Sequence, residues 1–295
     1  MRRTATALAV LLCAACGGAP AASSSPTTSA APSSSAGPSD APSSAALSSG
    51  PAVPPVAGIE AVAVQLRTDV AIGGQVQVRV TDTGSEPFTV TSVAIDSPGF
   101  APLPDRAVTA AFTPGRTVDL PTPFGGAVCD TAAEPAAARL TVVRPDGRTE
   151  VLRVPLAAAD LTRIHTDACA ARAVLAVAGV TVTGLALEGE AVTGTLETTR
   201  GGGDGRAVTL TRLEGNVLYD VEADLPVTLA EGESSAEVGL TFTTARCDPH
   251  ALAETKQPYL FVLGVQVDGE DEVTVDLPLD QAQRDTLFTL TESAC

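Results

Sequence analysis

The chain of 295 residues contains no tryptophan, two tyrosines and one methionine, and aromatic residues make up 3% of it. Sugar-binding sites usually stack their ligand on Trp or Tyr, so this scarcity argues against a carbohydrate-active site. Copper-binding motifs rich in Met or His are also missing, because the only methionine is Met1 and there are two histidines. Lysine occurs once, at Lys256, against seventeen arginines, which indicates a genomic composition bias.

Motifs of the common enzyme classes are missing as well. A Ser-His-Asp triad would need His165 or His250, and no Gly-x-Ser-x-Gly turn is present. The glycine-rich run at 201–205 is not followed by Gly-Lys-Ser/Thr, so it predicts a flexible connection between strands and not a phosphate-binding loop. The acidic run at 268–272 lacks the spacing of an EF-hand. The sequence therefore predicts no enzymatic activity and no cofactor.

Positive charge is in short supply, and the formal net charge is −17. From residue 58 onward there are 16 basic and 34 acidic side chains, and most of the excess falls after residue 169. A surface of this sign repels phosphate backbones, which argues against nucleic-acid binding. It is also repelled by anionic lipid headgroups, so we expect the folded part to stand off a membrane.

The amino terminus carries a basic pair, Arg2-Arg3, followed by an apolar run at 4–12 that is too short to span a bilayer permanently. Small residues precede Cys16 and glycines follow it. This segment resembles the lipobox of bacterial lipoproteins, although Cys13 stands where that family usually has an aliphatic residue. The resemblance implies a signal peptide at 1–15 and lipidation of Cys16. An ordinary signal peptide cut near Ala15 is the alternative.

Residues 16–57 are predicted to be a disordered linker behind the lipidated cysteine. They are almost entirely Gly, Ala, Pro, Ser and Thr, and Asp40 carries the only charge. Such a composition cannot bury a core. A flexible linker of this length has a root-mean-square span of about 35 Å.

From Ile59 onward, alternating apolar and β-branched runs separated by turns predict many short strands, which is typical of β-sandwiches. The clearest predicted strands are Val62–Leu66, Gln75–Thr81, Phe88–Ile95, Val108–Phe112, Leu140–Arg144, Glu150–Val154, Val174–Leu187, Ala191–Thr198, Ala207–Leu213, Ala236–Thr243, Tyr259–Val267 and Val273–Leu277.

The two halves of this region resemble each other. Each half has Cys-Asp, then Ala-Glu, a β-run ending in Asp-Gly, a Pro-Leu pair and a closing cysteine. The repeat predicts an all-β fold with two tandem immunoglobulin-like β-sandwich domains at 58–170 and 171–295. Of the three connectivities open to the four remaining cysteines, the repeat favours Cys129–Cys169 and Cys247–Cys295. A Cys₄ metal site is disfavoured because CxxC spacing is missing.

A short helical tail is predicted to close each domain and to deliver its last cysteine. The first tail is expected at Asp160–Ala168. The second is expected at Gln281–Leu290, where Asp280 and Gln283 have the spacing of a capping box.

The layout of lipobox, Ser/Pro/Ala linker and β-domains resembles uncharacterised cell-envelope lipoproteins of high-GC, actinobacterial-type Gram-positive bacteria. The run from Arg246 to Glu254, followed by Lys256 and Pro258, resembles a segment of such proteins. The resemblance implies a lipid anchor on the extracytoplasmic face of the cell membrane and assigns no activity.

Three functional hypotheses follow from the sequence. The favoured one is a non-catalytic binding or assembly module that contacts an envelope protein through an edge strand or the acidic second domain. The second is a metal-dependent or hydrolytic site around Asp248, His250 and Glu254. The third is solute capture for a transporter, which would need a cleft between the domains.

Overall fold

The structure is a computed structural model that describes residues 51–295, so Cys16 and the predicted signal peptide lie outside the described residues. Strands predominate in it, as predicted. The strands of the first half are β1 (Ile59–Val64), β2 (Gln75–Asp82), β3 (Phe88–Asp96), β4 (Arg106–Phe112), β5 (Thr117–Pro123), β6 (Ala137–Val143) and β7 (Thr149–Ala157). The strands of the second half are β8 (Ala178–Glu188), β9 (Ala191–Arg200), β10 (Val208–Glu214), β11 (Tyr219–Ala223), β12 (Val227–Leu229), β13 (Ser235–Thr244), β14 (Val262–Val267) and β15 (Val273–Asp276). The helices are α1 (Arg67–Ile72), α2 (Ala159–Val177), α3 (Pro249–Glu254) and α4 (Gln281–Ala294).

The first seven strands form one sheet in the order β4-β3-β6-β7-β1-β2-β5. Neighbouring strands are antiparallel except β1 and β7, which pair in parallel over two residues only. Strands β4 and β5 lie at opposite ends of this order and nevertheless contact each other, so the sheet curls around its own core. Alternation on β2 explains which face is inside, because Val76, Val78 and Val80 are all fully buried.

The remaining strands form two four-stranded sheets, β12-β10-β14-β15 and β11-β13-β9-β8. Both sheets contribute to one hydrophobic core, for example through Leu210 and Leu263 from the first and Leu196 and Phe242 from the second. This core draws on residues from Val174 to Leu290, whereas the core of the first sheet draws on residues from Ile59 to Leu161.

Helix α2 joins the two halves and is longer than the tail predicted there. It begins at Ala159 and continues to Val177, so the strand predicted to begin at Val174 was wrong in its start. The physical reason is the alanine-rich stretch after Asp167, which has high helix propensity and extends the helix past Cys169. Leu161 packs in the first core and Val174 in the second.

Both predicted disulfides are present, which confirms the pairing favoured by the repeat. The Cα atoms are 5.5 Å apart in Cys129–Cys169 and 5.2 Å apart in Cys247–Cys295. The predicted capping box of α4 is also confirmed: Gln283 N donates to Asp280 Oδ1 at 2.8 Å, and Asp280 N donates to Gln283 Oε1 at 2.8 Å. Helix α4 contacts the edge strand β8 through Gln283, whose Nε2 donates to the carbonyl of Val182 at 2.6 Å.

Tyr219 fixes α4 to the second core. Its side chain is 1% exposed, its hydroxyl donates to the carbonyl of Leu287 at 2.9 Å, and the Thr291 hydroxyl lies 2.5 Å away. Burial raises the pKa of Tyr219 to about 12. The phenol is therefore held in its neutral, hydrogen-bonding form.

Tyr219→Phe is expected to lower the free energy of unfolding by about 1 kcal/mol, because the helix loses a buried hydrogen bond. In the native chain, the contribution of Tyr219 is fully present below the ordinary tyrosine pKa of about 10 and is lost as pH rises through about 12. Urea unfolding at rising pH and tyrosinate absorbance would measure this. Equal alkaline sensitivity of wild type and Tyr219→Phe would contradict the assignment.

Within residues 51–295, no helix combines the length and the apolar character that crossing a membrane requires.

Candidate functional site

Asp248 is the N-cap residue of helix α3. Its Oδ1 accepts a hydrogen bond from the backbone N–H of Ala251 at 3.0 Å, which caps the helix. Its Oδ2 accepts from Arg246 Nε at 2.9 Å. The Ala251 N–H, followed by the Arg246 guanidinium, holds the pKa of Asp248 below its ordinary value. Both carboxylate oxygens are thus engaged within their own loop.

The other two residues of the predicted site do not converge on Asp248. His250 and Glu254 lie on α3 with exposed side chains, and neither makes a side-chain hydrogen bond or ion pair with another residue between 51 and 295. In the same part of the chain, no group of three His, Cys, Asp or Glu side chains is spaced to hold a metal ion. The arrangement around α3 is that of a capped surface helix.

His165 is the buried histidine of the described region. It is 7% exposed on α2, and its Nε2 lies 3.0 Å from the carbonyl of Val128 and 3.7 Å from Cys169 Sγ. The ring of Phe100 packs edge-on against it at 5.7 Å. These contacts brace the Cys129–Cys169 disulfide.

A surface feature that sequence reasoning missed lies between β1 and β2. We call residues 66–74 the α1 tip. It is held by Asp69, a carboxylate that is fully buried. Asp69 Oδ1 accepts from Gln75 Nε2 at 2.8 Å and from Gln77 Nε2 at 2.6 Å, and Oδ2 accepts from the backbone N–H of Leu66 at 2.9 Å. Three donors thus satisfy a charge that would otherwise be very costly to bury.

The network beneath the tip holds apolar side chains out in solvent. Ile72 is 67% exposed, Val70 is 48% exposed and Leu66 is 36% exposed. The tip ends at Gly73 and Gly74, which both have positive φ, a conformation that other residues rarely adopt. Exposed apolar side chains that lie together on a hydrogen-bonded segment are typical of a contact surface.

Two cavities lie where the chain enters the first sheet. One, of about 880 Å³, is bounded by residues 52–62 and by Pro155 and Leu156 of β7. The other, of about 490 Å³, is lined by Pro51, Phe100 and neighbouring residues at the end of β3. Val56 packs against the first core, so the last residues of the predicted linker follow the sheet surface.

The outer face of the β11-β13-β9-β8 sheet is acidic. Glu197 on β9 and Glu237 on β13 are direct register partners, and Glu222 on the adjacent β11 is exposed. Like charges that lie directly opposite each other across two strands destabilise a sheet. The partner of Glu197 on its other side is Thr181, so no direct register partner neutralises the pair.

Comparisons with known proteins identify no family. No protein-family model matches the chain, and no curated protein matches it. Among solved structures, red sea bream transglutaminase aligns with 12% identity and a TM-score of 0.22; the alignment covers 76% of this chain and 32%, about a third, of the transglutaminase. A protein of unknown function from Porphyromonas gingivalis W83 aligns with 13% identity and a TM-score of 0.18, covering 75% of this chain and 98% of that one. Neither likeness carries an argument about fold or function.

Proposed function

We propose that the chain is a lipid-anchored, extracytoplasmic module of the cell envelope that binds or assembles with another envelope protein and is not an enzyme. The anchor rests on the sequence around Cys16, where a basic pair, a short apolar run and small residues precede the cysteine. The two disulfides support an oxidising location outside the cytoplasm.

We also propose that residues 58–170 and 171–295 are tandem immunoglobulin-like β-sandwich domains. Two separate hydrophobic cores support this division, one built from Ile59 to Leu161 and the other from Val174 to Leu290. Each core is followed by a helix that delivers a cysteine to a disulfide.

One observation carries the binding part of this function. The Glu197–Glu237 pair keeps two like charges opposite each other on the outer face of the sheet, an arrangement that lowers stability. A partner with a basic surface would neutralise the pair. Complementary charge of this kind steers a partner and sets its register.

Cys16→Ser is expected to release the chain from the membrane, because thioether lipidation needs the sulfur atom. Fractionation of cells that carry each version, together with the intact mass of the native protein, would measure this. The native chain should sediment with membranes and show a mass increased by lipid, and the Cys16→Ser chain should be soluble. An unmodified Cys16 in the native chain would refute the anchor and leave the β-domains unaffected.

The binding part is tested in the same cells by crosslinking. The native chain should recover a defined envelope protein, and Glu237→Lys should reduce that recovery several-fold, because it converts a like-charge pair into an ion pair. Val151→Lys is the matched control, since Val151 lies on the outer face of β7 and is 63% exposed. Equal recovery by Glu237→Lys and Val151→Lys would remove the acidic face as the contact.

A further inference from the structure

We propose that the α1 tip is a second membrane contact, which lies against a bilayer with anionic headgroups next to the lipid anchor. This inference rests on the proposed anchoring at Cys16. It assigns the bilayer contact to one surface, carried by Leu66, Val70 and Ile72. It departs there from the expectation that the acidic folded part stands off a membrane, because the only acid of residues 66–74, Asp69, is buried.

The first step is the rigidity of the apolar side chains. Ile72 and Val70 are among the most exposed large hydrophobic residues between 51 and 295. They belong to a six-residue helix that could not persist alone. Asp69 holds the helix through Gln75 and Gln77, which belong to β2. Because the tip is already ordered, its apolar side chains lose little conformational freedom when they bind.

The second step is local charge. From Val62 to Gln75 the chain contains one acidic residue, Asp69, and that carboxylate is fully buried. The exposed charge on this segment is Arg67, and Arg106 donates from β4 to Gln75 Oε1 at 3.2 Å. Just before the tip, the carboxylate of Asp160 accepts from the backbone N–H of Gln65 at 2.7 Å and lies 3.7 Å from the guanidinium of Arg163, which offsets its charge. In a chain of net charge −17, this local balance of charge suits anionic headgroups better than the acidic surface elsewhere does.

The third step is position relative to the linker. Strands β1 and β7 are parallel, so their carboxyl ends lie at the same end of the sheet, and the α1 tip follows β1 there. The end of β3 pairs with the start of β6 at Asp96 and Ala137, and the start of β6 pairs with the end of β7. Pro51 lies beside this end of β3. The linker thus reaches the sheet at the end that carries the tip.

The fourth step is the size of the surface. A stable protein–protein interface buries about 800 Å² on each partner, which is more than three part-exposed aliphatic side chains provide. An interfacial membrane contact needs only a few apolar side chains. The anchor keeps the tip at high effective concentration near the bilayer, so a weak contact suffices. A bilayer therefore fits the tip better than a protein groove does.

The absence of tryptophan allows a direct experiment. Ile72→Trp introduces the only indole at a position that is 67% exposed, and Val151→Trp is the matched control at a position that is 63% exposed. The full anchored chains are reconstituted into vesicles of equal phosphatidylglycerol and phosphatidylcholine, with and without brominated lipid. We expect a blue-shifted Ile72→Trp emission that brominated lipid quenches at least twofold more than the Val151→Trp emission.

Flotation of the same vesicles separates the two proposals. A chain that does not float contradicts the anchor and this inference together. Floating chains with equal quenching at the two positions overturn the bilayer contact and leave the anchor standing. Ile72→Trp that is unquenched in vesicles, but shielded from a water-soluble quencher in native membranes, would assign the tip to a protein instead. Strong quenching that persists in phosphatidylcholine alone would refute the requirement for anionic headgroups.

Discussion

Asp69→Ala is expected to lower the free energy of unfolding by about 3–5 kcal/mol, although no cation pairs with this carboxylate among the described residues. The substitution leaves three N–H donors without their acceptor, two from Gln75 and Gln77 and one from the backbone of Leu66. Gln77 is 6% exposed, so water cannot readily replace the lost carboxylate at that end. Urea unfolding followed by circular dichroism would measure the loss.

Asp119→Ala is the matched control, since Asp119 also accepts from a side chain of β2, that of Arg79, at 2.7 Å and 2.9 Å. The Arg79 guanidinium holds the pKa of Asp119 below its ordinary value, yet both side chains are about a third exposed or more. Exposed ion pairs contribute little, so we expect a loss of about 0.5 kcal/mol. Similar losses for Asp69→Ala and Asp119→Ala would show that the Asp69 network does not stabilise the fold.

Asp69→Ala also tests the proposed membrane contact. In the Asp69→Ala variant the α1 tip should lose the hydrogen bonds that fix it to β2, while it keeps its apolar side chains. Proteolysis near Gly73 and Gly74 should therefore become faster in the folded chain. Combined with Ile72→Trp, it should reduce quenching by brominated lipid, because a mobile tip must be ordered before it inserts.

The features that could be predicted from the sequence are those encoded by local patterns or by repetition. The two disulfides followed from the order of residues around Cys129 and Cys247 in the two halves, which needs no knowledge of packing. The capping box at Asp280 and Gln283 is a contact between residues three positions apart. Most strands followed from alternation, which is set by which face of the sheet is buried.

The features that were missed depend on tertiary contacts. Strand β5 contains Pro121 and Pro123, which argue against a strand in isolation but are tolerated on an edge that pairs only with β2. Helix α1 was not predicted, because the residue that holds it, Asp69, does so through a hydrogen bond from Gln77 on the next strand. Its sequence signal was a run of apolar residues around one acid before Gly73-Gly74.

The hypothesis of a site around Asp248, His250 and Glu254 read more into the sequence than the fold brings together. Asp, His and Glu close together in sequence are compatible with catalysis, but the order Asp-Pro at 248–249 is equally the start signal of a helix. Capping uses the carboxylate of Asp248 locally, and the helix leaves His250 in solvent. A cluster in sequence becomes a site only where the fold turns its side chains toward one point.

Cys247→Ser combined with Cys295→Ser is expected to lower the free energy of unfolding of residues 171–295 by about 4 kcal/mol. The bond joins residues separated by 48 positions, and in the chain-entropy picture a loop of this length restricts the unfolded chain by that amount. Helix α4 should remain docked through Tyr219 and its two partners, Leu287 and Thr291, while its last turn frays beyond them. Hydrogen exchange under rising urea would report each domain separately.

Because the two cores share no residues, the loss should stay within the second domain, and protection of strands β2 and β6 should be unchanged. The double variant Cys129→Ser and Cys169→Ser is the reciprocal control. The disulfide that it removes closes a loop of similar size, with a separation of 40, so this variant should destabilise the first domain instead. If either pair of substitutions lowered protection equally on both sides of α2, the cores would unfold as one unit, and the division into two domains would be wrong.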